Sequence, residues 1–271
     1  TSYNANMISN EVFIDSATLR ENVVALARNI GYVPRSRKAS RTSVNFFVDI
    51  SSVSPTPANL TLKAGPVAST GGSFNNQSFV FGIPEDITVS VVDGIASFNN
   101  VEIFEGSYLT QTYVYSSRNP FQKFILPNIG IDLDSLVVSV RPSAQSSVTT
   151  KYSRQDELFD SVTKSTINKN SNIYFIQEVE GEQYEVIFGD GVFGKALEDG
   201  NVVEMSYIVS SGSDGNGVSS FSFAGSISYV RNSVQISVTS GISLITPNLP
   251  SSGGESIESV ESIRKFAPQV Y

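Results

Sequence analysis

The sequence predicts a mainly β fold of the α+β class, with two sandwich-like or barrel-like modules and a helix near each terminus. Of its 271 residues, 40% are hydrophobic and only 16% are charged, and Ser, Thr, Asn and Gly separate short apolar runs. This composition is typical of proteins in which many turns connect short strands. Apolar and polar residues alternate from residue 41 onward, whereas the clearest helical spacing lies near the two ends.

The first predicted element is a helix over residues 15–30. Leu19, Val23, Leu26 and Ile30 recur at offsets of four, three and four, which places them on one helix face. A glycine follows directly, where helices often end. The apolar face predicts either a docking surface for a partner or packing on the chain's own β modules.

A basic linker completes the segment 1–41. This segment holds six basic and three acidic residues, although the whole chain has a formal net charge of −8. Arg35, Arg37, Lys38 and Arg41 follow one another closely. Such a run indicates either an interaction segment for an acidic neighbouring surface or a solvated basic loop.

The central part of the chain divides into two predicted β modules, 42–118 and 119–250. For the strands after residue 217, membership of the first module is left open as an alternative. Six strand-like runs precede residue 118, and Gly, Pro, Asn or Ser clusters separate them. This spacing is typical of a sandwich or a barrel.

A second helical segment begins within 251–271. Ile257, Val260, Ile263 and Phe266 recur at every third position. Glutamates precede the basic residues of this segment, an order that suits the helix dipole. We therefore predict a helix near the C-terminal end of the sequence.

The stretch "FGDGVFGKALEDGN" has the spacing G-x-G-x-x-G, which is typical of dinucleotide-binding loops. A dinucleotide site requires a strand, a glycine turn and then a helix whose N-terminus faces the phosphates. Only five residues separate Gly194 from the next break, and the following run is strand-like. We therefore interpret Gly189, Gly191 and Gly194 as a fold-defining turn, in which Asp190 binds local backbone amides.

Composition argues against most catalytic chemistry. The chain contains neither cysteine nor histidine, which removes the usual zinc ligands and the Ser-His-Asp triad. Asp132 and Asp134, or Asp156 and Glu157, leave only a carboxylate glycosidase as an enzymatic alternative. "SDGNG" at 213–217 lacks the further ligands of a calcium loop and predicts a tight turn. We expect no enzymatic activity, no cofactor and no metal.

Nucleic acid and membrane are also not expected as partners. A pI of about 4.7 argues against nucleic acid. No apolar run approaches the ~20 residues that a membrane-spanning helix requires.

Three stretches together resemble a known family, the baseplate J-like proteins, particularly the baseplate wedge subunits of T4-like contractile phages. They are "NEVFIDSATLRENVVALARNIGYVPRSRKAS", "YEVIFGDGVFGKALEDGNVVEMSYIVSSGSDGNG" and "SGGESIESVESIRKFAP". In the first stretch, the residues that carry the resemblance are Asn10, Glu11, Gly31, Tyr32, Pro34, Ser36 and Arg37. The region 42–118 carries no matching motif.

The resemblance implies structural work rather than catalysis. Such subunits form the inner ring of the tail baseplate, pair with a second copy and other wedge proteins, and relay baseplate rearrangement to sheath contraction. It also implies a location in the virion tail after synthesis in the host bacterial cytoplasm, and a chain that is a fragment of a longer polypeptide. Related proteins occur in other contractile injection systems. The residues predicted to form an interaction segment are Leu19, Val23, Leu26, Ile30, Arg35 and Arg37.

A carbohydrate-binding tail β-sandwich is the alternative from a different functional class. Its sugar platform would use exposed Tyr or Phe, of which the chain has 11 and 17. The absence of Trp counts against this alternative.

Overall fold

The computed structural model describes residues 11, 13–70, 74, 77–119, 121–155, 159–160 and 165–269. It is mainly β, with 45% strand and 11% helix, and it has two large sheets, of which one is barrel-like. Helices lie near both ends of the chain. The predicted fold class is therefore confirmed.

The strands are numbered in chain order. The first ten are β1 (Arg41–Asp49), β2 (Asn59–Leu62), β3 (Gly65–Ser69), β4 (Val80–Ile83), β5 (Ile87–Val92), β6 (Ile95–Glu105), β7 (Ser107–Val114), β8 (Phe124–Leu126), β9 (Ile131–Arg141) and β10 (Thr150–Arg154). The others are β11 (Phe159–Asp160), β12 (Ser165–Thr166), β13 (Ile173–Val179), β14 (Gln183–Phe188), β15 (Val202–Val209), β16 (Ser222–Phe223), β17 (Ile227–Arg231), β18 (Val234–Val238) and β19 (Thr246–Pro247). The helices are α1 (Arg20–Asn29) and α2 (Val260–Phe266).

The first sheet has the strand order β16-β3-β4-β6-β5-β2-β17-β18, and β1 pairs with β6 and β19. In β1, Val44, Phe46 and Val48 point into the core, whereas the residues between them are more exposed. This alternation follows from the two-residue period of a strand. Phe46 stacks on Phe98 of the neighbouring β6, with ring centroids 4.8 Å apart.

The second sheet has the order β7-β15-β9-β10-β13-β14-β8. Its neighbouring strands are antiparallel except β10 and β13, which are parallel. Aromatic side chains fill its core: Phe124 meets Tyr113 and Phe188 in edge-to-face contacts. Each sheet therefore has a separate hydrophobic core.

Sheet membership does not follow the predicted ranges 42–118 and 119–250 throughout. β7 lies in the first range but pairs with β15 of the second sheet. Strands β16 to β19 lie beyond residue 217 and pair with strands of the first sheet. The second module is thus inserted between β6 and β16 of the first.

A single extended path crosses from one module to the other. β6 ends at Glu105 and β7 begins at Ser107, with only Gly106 between them. Gly106 has a φ of +135°, and a Cβ at this position would lie 2.3 Å from the carbonyl oxygen of Val209. Close approach of the returning strand β15 therefore requires glycine here.

The N-terminal helix starts later than the predicted residue 15. The backbone first forms a turn, in which Ser16 N and Ala17 N donate to Phe13 O. Helix α1 then begins at Arg20. The difference arises because the backbone N–H groups of Thr18 and Leu19, just ahead of the helix, donate to the Glu11 carboxylate.

Candidate functional site

The two terminal helices pack against each other. Val23, Val24 and Ala27 of α1 are buried together with Ile263 and Ala267 at the C-terminal end. Small and β-branched residues at these positions allow the two helices to approach closely. The contact joins two segments that lie more than 200 residues apart in the sequence.

The predicted interaction face of α1 is divided between this contact and the surface. Val23 is fully buried, and Leu26 and Ile30 are half-buried against the helix pair. Leu19 remains 44% exposed. Of the four predicted residues, Leu19 therefore offers the largest exposed fraction to a partner.

The entry to α1 is fixed by Glu11. Its carboxylate accepts bonds from the Thr18 hydroxyl and backbone N–H, from Leu19 N, and from Asn22 Nδ2. The bonds from Thr18 and Asn22 lower the pKa of Glu11 to about 2. A carboxylate at a helix N-terminus also interacts favourably with the helix dipole.

An ion pair connects α1 to the second module. The Arg20 guanidinium donates to both carboxylate oxygens of Glu178 on β13, at 2.8 and 3.0 Å. Burial raises the pKa of Glu178, and the Arg20 charge opposes that shift. Arg20 also donates to the Glu258 carbonyl oxygen. One side chain thus joins α1, β13 and the segment before α2.

Glu258 connects the linker to the segment before α2. Its carboxylate accepts from the Tyr32 hydroxyl at 2.7 Å, from Arg35 N at 2.9 Å and from the Ser262 hydroxyl at 2.6 Å. Although burial opposes ionisation, these bonds lower the pKa of Glu258. Burial and the bond to Glu258 raise the pKa of Tyr32 to about 12. We infer that Glu258 is ionised in the folded protein at neutral pH.

The basic linker lies along the chain's own C-terminal segment. Lys38 and Glu255 exchange two backbone hydrogen bonds at 3.0 Å, and Arg41 and Ser252 exchange two more. Arg35 forms an ion pair with Glu255 at 3.3 Å, with both side chains about half-exposed. The linker is therefore a backbone-paired part of the fold, and Arg35, Lys38 and Arg41 form ion pairs with acidic side chains.

Arg35 and Arg37 have different surroundings. Arg37 is partly buried, and its Nη1 donates to the Ser210 carbonyl oxygen at 3.1 Å. Arg35 lines an open cleft of about 420 Å³ together with Lys38, Asp134 and Arg154. Arg35 is accessible to a partner, whereas Arg37 belongs to the internal contact between segments.

Glu105 lies at the point where the chain crosses between the modules. It is buried, and its Oε2 accepts from the Ser210 hydroxyl at 2.7 Å and from Ser211 N at 3.1 Å. Its own backbone N–H donates to Ser40 O at 2.7 Å. The outgoing strand, the returning chain and the linker thus meet at Glu105, through its carboxylate and its backbone N–H.

Asn216 and Ser40 continue this contact toward the C-terminal segment. The Ser40 hydroxyl lies 2.7 Å from Asn216 Oδ1 and 2.9 Å from the Gly212 carbonyl oxygen. Asn216 exchanges two bonds with the Gly254 backbone, at 2.9 and 3.0 Å. We call the contact formed by Ser40, Glu105, Ser210, Asn216 and Gly254 the junction.

Asp132 anchors the linker on the second sheet. Its carboxylate accepts from Ala39 N and Asp134 N, both at 2.9 Å. Burial raises the pKa of Asp132, and these two bonds oppose the shift. The Asp132 carboxylate is thus engaged by two backbone amides, and the neighbouring Asp134 charge adds to the rise in its pKa. Asp156 and Glu157, the other predicted pair, lie outside the described residues.

The G-x-G-x-x-G stretch forms a compact loop without a helix. Asp190 Oδ1 accepts two backbone N–H bonds at 2.9 Å, which lower the pKa of Asp190. Gly191 N donates to Gly194 O at 3.1 Å. Gly194 has a φ of +84°, and a Cβ there would lie 2.7 Å from Ile173 Cγ1. Position 189 has no room for a side chain either, because a Cβ would lie 2.3 Å from Gly194 C.

Two further findings concern metal ions and membranes. Within the described ranges, no group of three or more Asp and Glu residues is arranged to hold a metal ion. None of the helices in those ranges is long and apolar enough to cross a membrane. Asn216, which the sequence offered as a possible calcium ligand, uses its amide within the junction.

Sequence reasoning missed Glu105, Glu258 and Ser40 as organising residues. Glu105 is an acidic residue at the end of the apolar run "VEIF", a position that indicates a buried, bonded carboxylate. Glu258 directly follows the apolar Ile257 of the C-terminal segment. Ser210 lies 105 residues from Glu105, and Tyr32 lies 226 residues from Glu258, so local periodicity gave no indication of these contacts.

Comparison with known proteins identified no relative of this chain. No protein-family model matches this chain, and a search of curated proteins found no match.

Proposed function

We propose that this chain is a structural subunit of a contractile phage tail baseplate, in the wedge or inner ring. In this role it assembles with a second copy and with other wedge proteins, and it relays baseplate rearrangement to sheath contraction. Its proposed location is the tail baseplate of the virion.

One observation carries this proposal: parts of the three stretches that resemble the baseplate J-like family meet in space. Tyr32 and Arg35 of the first stretch contact Glu258 of the third. Asn216 at the end of the second stretch contacts Ser40 and Gly254. The separate motifs thus belong to one physical unit, as expected if they serve one assembly function.

The junction suits a subunit that transmits movement. β6 and β7 form an almost continuous strand through both modules, and Glu105 binds the returning chain beside it. Packed cores and satisfied polar networks resist small displacements, so a push on one module reaches the other. A relay requires this property, whereas a flexible linker between modules would dissipate the movement.

The cleft that contains Arg35 is the proposed contact for an acidic surface on a wedge partner. Arg35 and Lys38 line this cleft with Asp134, and both are held in partly exposed ion pairs, Arg35 with Glu255 and Lys38 with Asp134. An acidic surface on a partner would compete with Glu255 for the half-exposed Arg35 guanidinium. Charge complementarity of this kind favours specific encounter and fixes orientation.

Light scattering on size-exclusion peaks tests the proposal, with the chain alone and mixed with wedge proteins from the same tail gene cluster. We expect a heteromeric peak of defined mass that Arg35→Glu weakens. Lys63→Glu is the matched control, because it also disrupts an exposed ion pair, with Asp86, but lies outside the cleft. A chain that binds none of the wedge proteins would contradict the proposal.

A carbohydrate-binding module is the second candidate. It is favoured by an open cleft of about 310 Å³ beside the glycine loop, where the partly exposed Tyr115 and Phe188 lie near Gln122 and Asp190. Aromatic rings with a few convergent polar groups are typical of ligand sites. Reproducible binding of one sugar class on a glycan array, lost in Tyr115→Ala, would favour this candidate over the scaffold.

A further inference from the structure

Strand β7 ends the second sheet on one side and is long and uncharged. It spans Ser107–Val114, "SYLTQTYV", and pairs with β15 without a register shift. The other strands that end the two sheets are shorter: β8 and β18 have three and five residues, and β16 and β19 have two each. Natural proteins usually protect a long edge with charge, proline or a bulge, and β7 has none of these.

Backbone hydrogen bonds show which groups of β7 point outward. Tyr115 N donates to Asn201 O, so odd-numbered residues direct their backbone groups toward β15. Gly106 N donates away from β15, to Val80 O. By this alternation, the backbone N–H and C=O groups of Thr110 and Thr112 point away from the sheet.

The outer edge of β7 is occupied at its two ends and open between them. Gly106 N binds Val80 O at one end, and Gln122 Nε2 donates to Val114 O at the other. Within the part of the chain that the structure describes, no strand pairs with Thr110 or Thr112 on this side. Thr110 and Thr112 therefore present two N–H and two C=O groups at the open edge.

We propose that β7 pairs with β7 of a second copy in antiparallel orientation, with the two-fold axis at Gln111. In this register Thr110 of each copy lies opposite Thr112 of the other. The two N–H and two C=O groups of Thr110 and Thr112 in each copy are then paired, and Val114 O keeps its bond to Gln122. The inference rests on the proposed function in one respect, since that function includes a second copy among the partners.

A second copy fits this edge because the strand is self-complementary. A two-fold axis brings identical residues together, so any charge near Gln111 would face a like charge; β7 contains none. The threonines that become opposite each other are β-branched and suit cross-strand packing. An isologous contact of this kind also closes after two copies, without forming a filament.

Disulfide trapping tests both the partner and the register, because the native chain has no cysteine. In the proposed register Gln111 faces its own copy as a non-hydrogen-bonded pair, with Cα atoms about 4.5 Å apart. A disulfide spans this distance. Gln111→Cys should therefore form a covalent dimer under mild oxidation, in high yield.

Leu109→Cys is the matched control, since it lies on the same strand and points to the same face. Its sulfur would be about 14 Å along the strand from its own copy, four residues at about 3.4 Å each. We expect at least a tenfold lower dimer yield than for Gln111→Cys. Equal yields at the two positions, or no dimer at Gln111, would overturn the proposal.

Thr112→Pro provides an independent test in the chain without cysteine. Proline removes an outward N–H and leaves the hydrogen bonds to β15 intact. We expect light scattering to show self-association of the wild-type chain at high concentration and its loss in Thr112→Pro. Circular dichroism of the variant should still show the β fold. Unchanged self-association would overturn the proposal.

Binding of the wedge proteins is measured separately on the same variants. If Gln111→Cys still binds wedge proteins but forms no dimer, the proposed pairing of β7 between two copies is wrong and the proposed function is unaffected. A disulfide-linked product of wedge protein and Gln111→Cys in place of the self-dimer would assign the edge to that partner and overturn the second copy.

Discussion

At the scale of single residues, four buried carboxylates determine how distant segments meet: Glu105, Asp132, Glu178 and Glu258. Each receives hydrogen bonds from a segment that is far away in the sequence. A buried carboxylate is stable only when such bonds replace water. These residues therefore select one arrangement of the segments, because other arrangements would leave a charge without partners.

Replacing Glu258 should weaken the attachment of the C-terminal segment. Glu258→Ala removes three hydrogen bonds to a buried carboxylate and leaves the Tyr32 hydroxyl without its acceptor. We expect the free energy of unfolding to fall by about 2–4 kcal/mol in urea titrations. Glu255→Ala is the control, because its ion pair with Arg35 is half-exposed and should contribute less than about 1 kcal/mol. Equal effects of the two changes would contradict this role of Glu258.

Glu11 should make the stability of the N-terminal helix depend on pH. The pKa of Glu11 is about 2 in the folded chain and 4.5 without these contacts. A lowered pKa gives stability that is present above pH 4.5 and is lost as the pH falls toward 2. We expect the thermal midpoint of Glu11→Gln to approach that of the wild type as the pH falls from 5 to 2. A constant difference between the two midpoints over this range would refute the prediction.

At the scale of elements, the terminal helices stabilise each other rather than folding as separate units. α1 has ten residues and α2 has seven, both shorter than the ~12–15 residues that an isolated helix requires. Their stability must therefore come from the apolar contact that Val23 and Ile263 share. One consequence is that the N-terminal and C-terminal segments should unfold together.

Truncation of Ile263 tests this contact. Ile263→Ala leaves a cavity beneath α1 and should lower the free energy of unfolding by about 2–4 kcal/mol. Hydrogen exchange should also accelerate in both helices, because each loses the other's support. Leu19→Ala is the control at an exposed position and should change stability by less than about 0.5 kcal/mol. Faster exchange in α2 alone would mean that α1 has another source of stability.

Periodicity predicted the elements better than their contacts. The alternation of β1 and the three-residue spacing around Ile263 are local signals, and β1 forms where it was predicted. Helix α2 also forms, but it begins at Val260 and leaves Ile257 outside the helix. The start of α1 differed because its capping residue, Glu11, lies eight or nine positions ahead of the helix. The junction could not be predicted from sequence, since Glu105 and Ser210 are brought together by the insertion of one module into the other.

At the scale of the whole molecule, the chain leaves the first module once and returns once. The outgoing path is β6 to β7, and the return runs from β15 through residues 210–217. Both crossings lie at the junction, beside the linker and the C-terminal segment. The two modules are therefore connected by several separate contacts, which favours their coupled movement.

Gly106 is the position where this connection is most sensitive. In Gly106→Ala the new Cβ would clash with the Val209 carbonyl oxygen, in addition to the strain of a φ of +135°. We expect a loss of at least about 2 kcal/mol in the free energy of unfolding. Gly181→Ala is the control, because its φ is +75° but no heavy atom lies within 4 Å of the added Cβ. A similar loss at both glycines would show that strain alone, and not the crossing geometry, sets the effect.

Deletion of the encoding gene tests the central claim, the scaffold role, most directly. Electron microscopy of the resulting particles would show whether baseplates form. A structural subunit of the wedge or inner ring predicts tails without assembled baseplates, restored by the wild-type chain and not by Glu258→Ala if attachment of the C-terminal segment is needed for assembly. Tails with complete baseplates that fail only to attach to cells would contradict the scaffold role and favour carbohydrate binding.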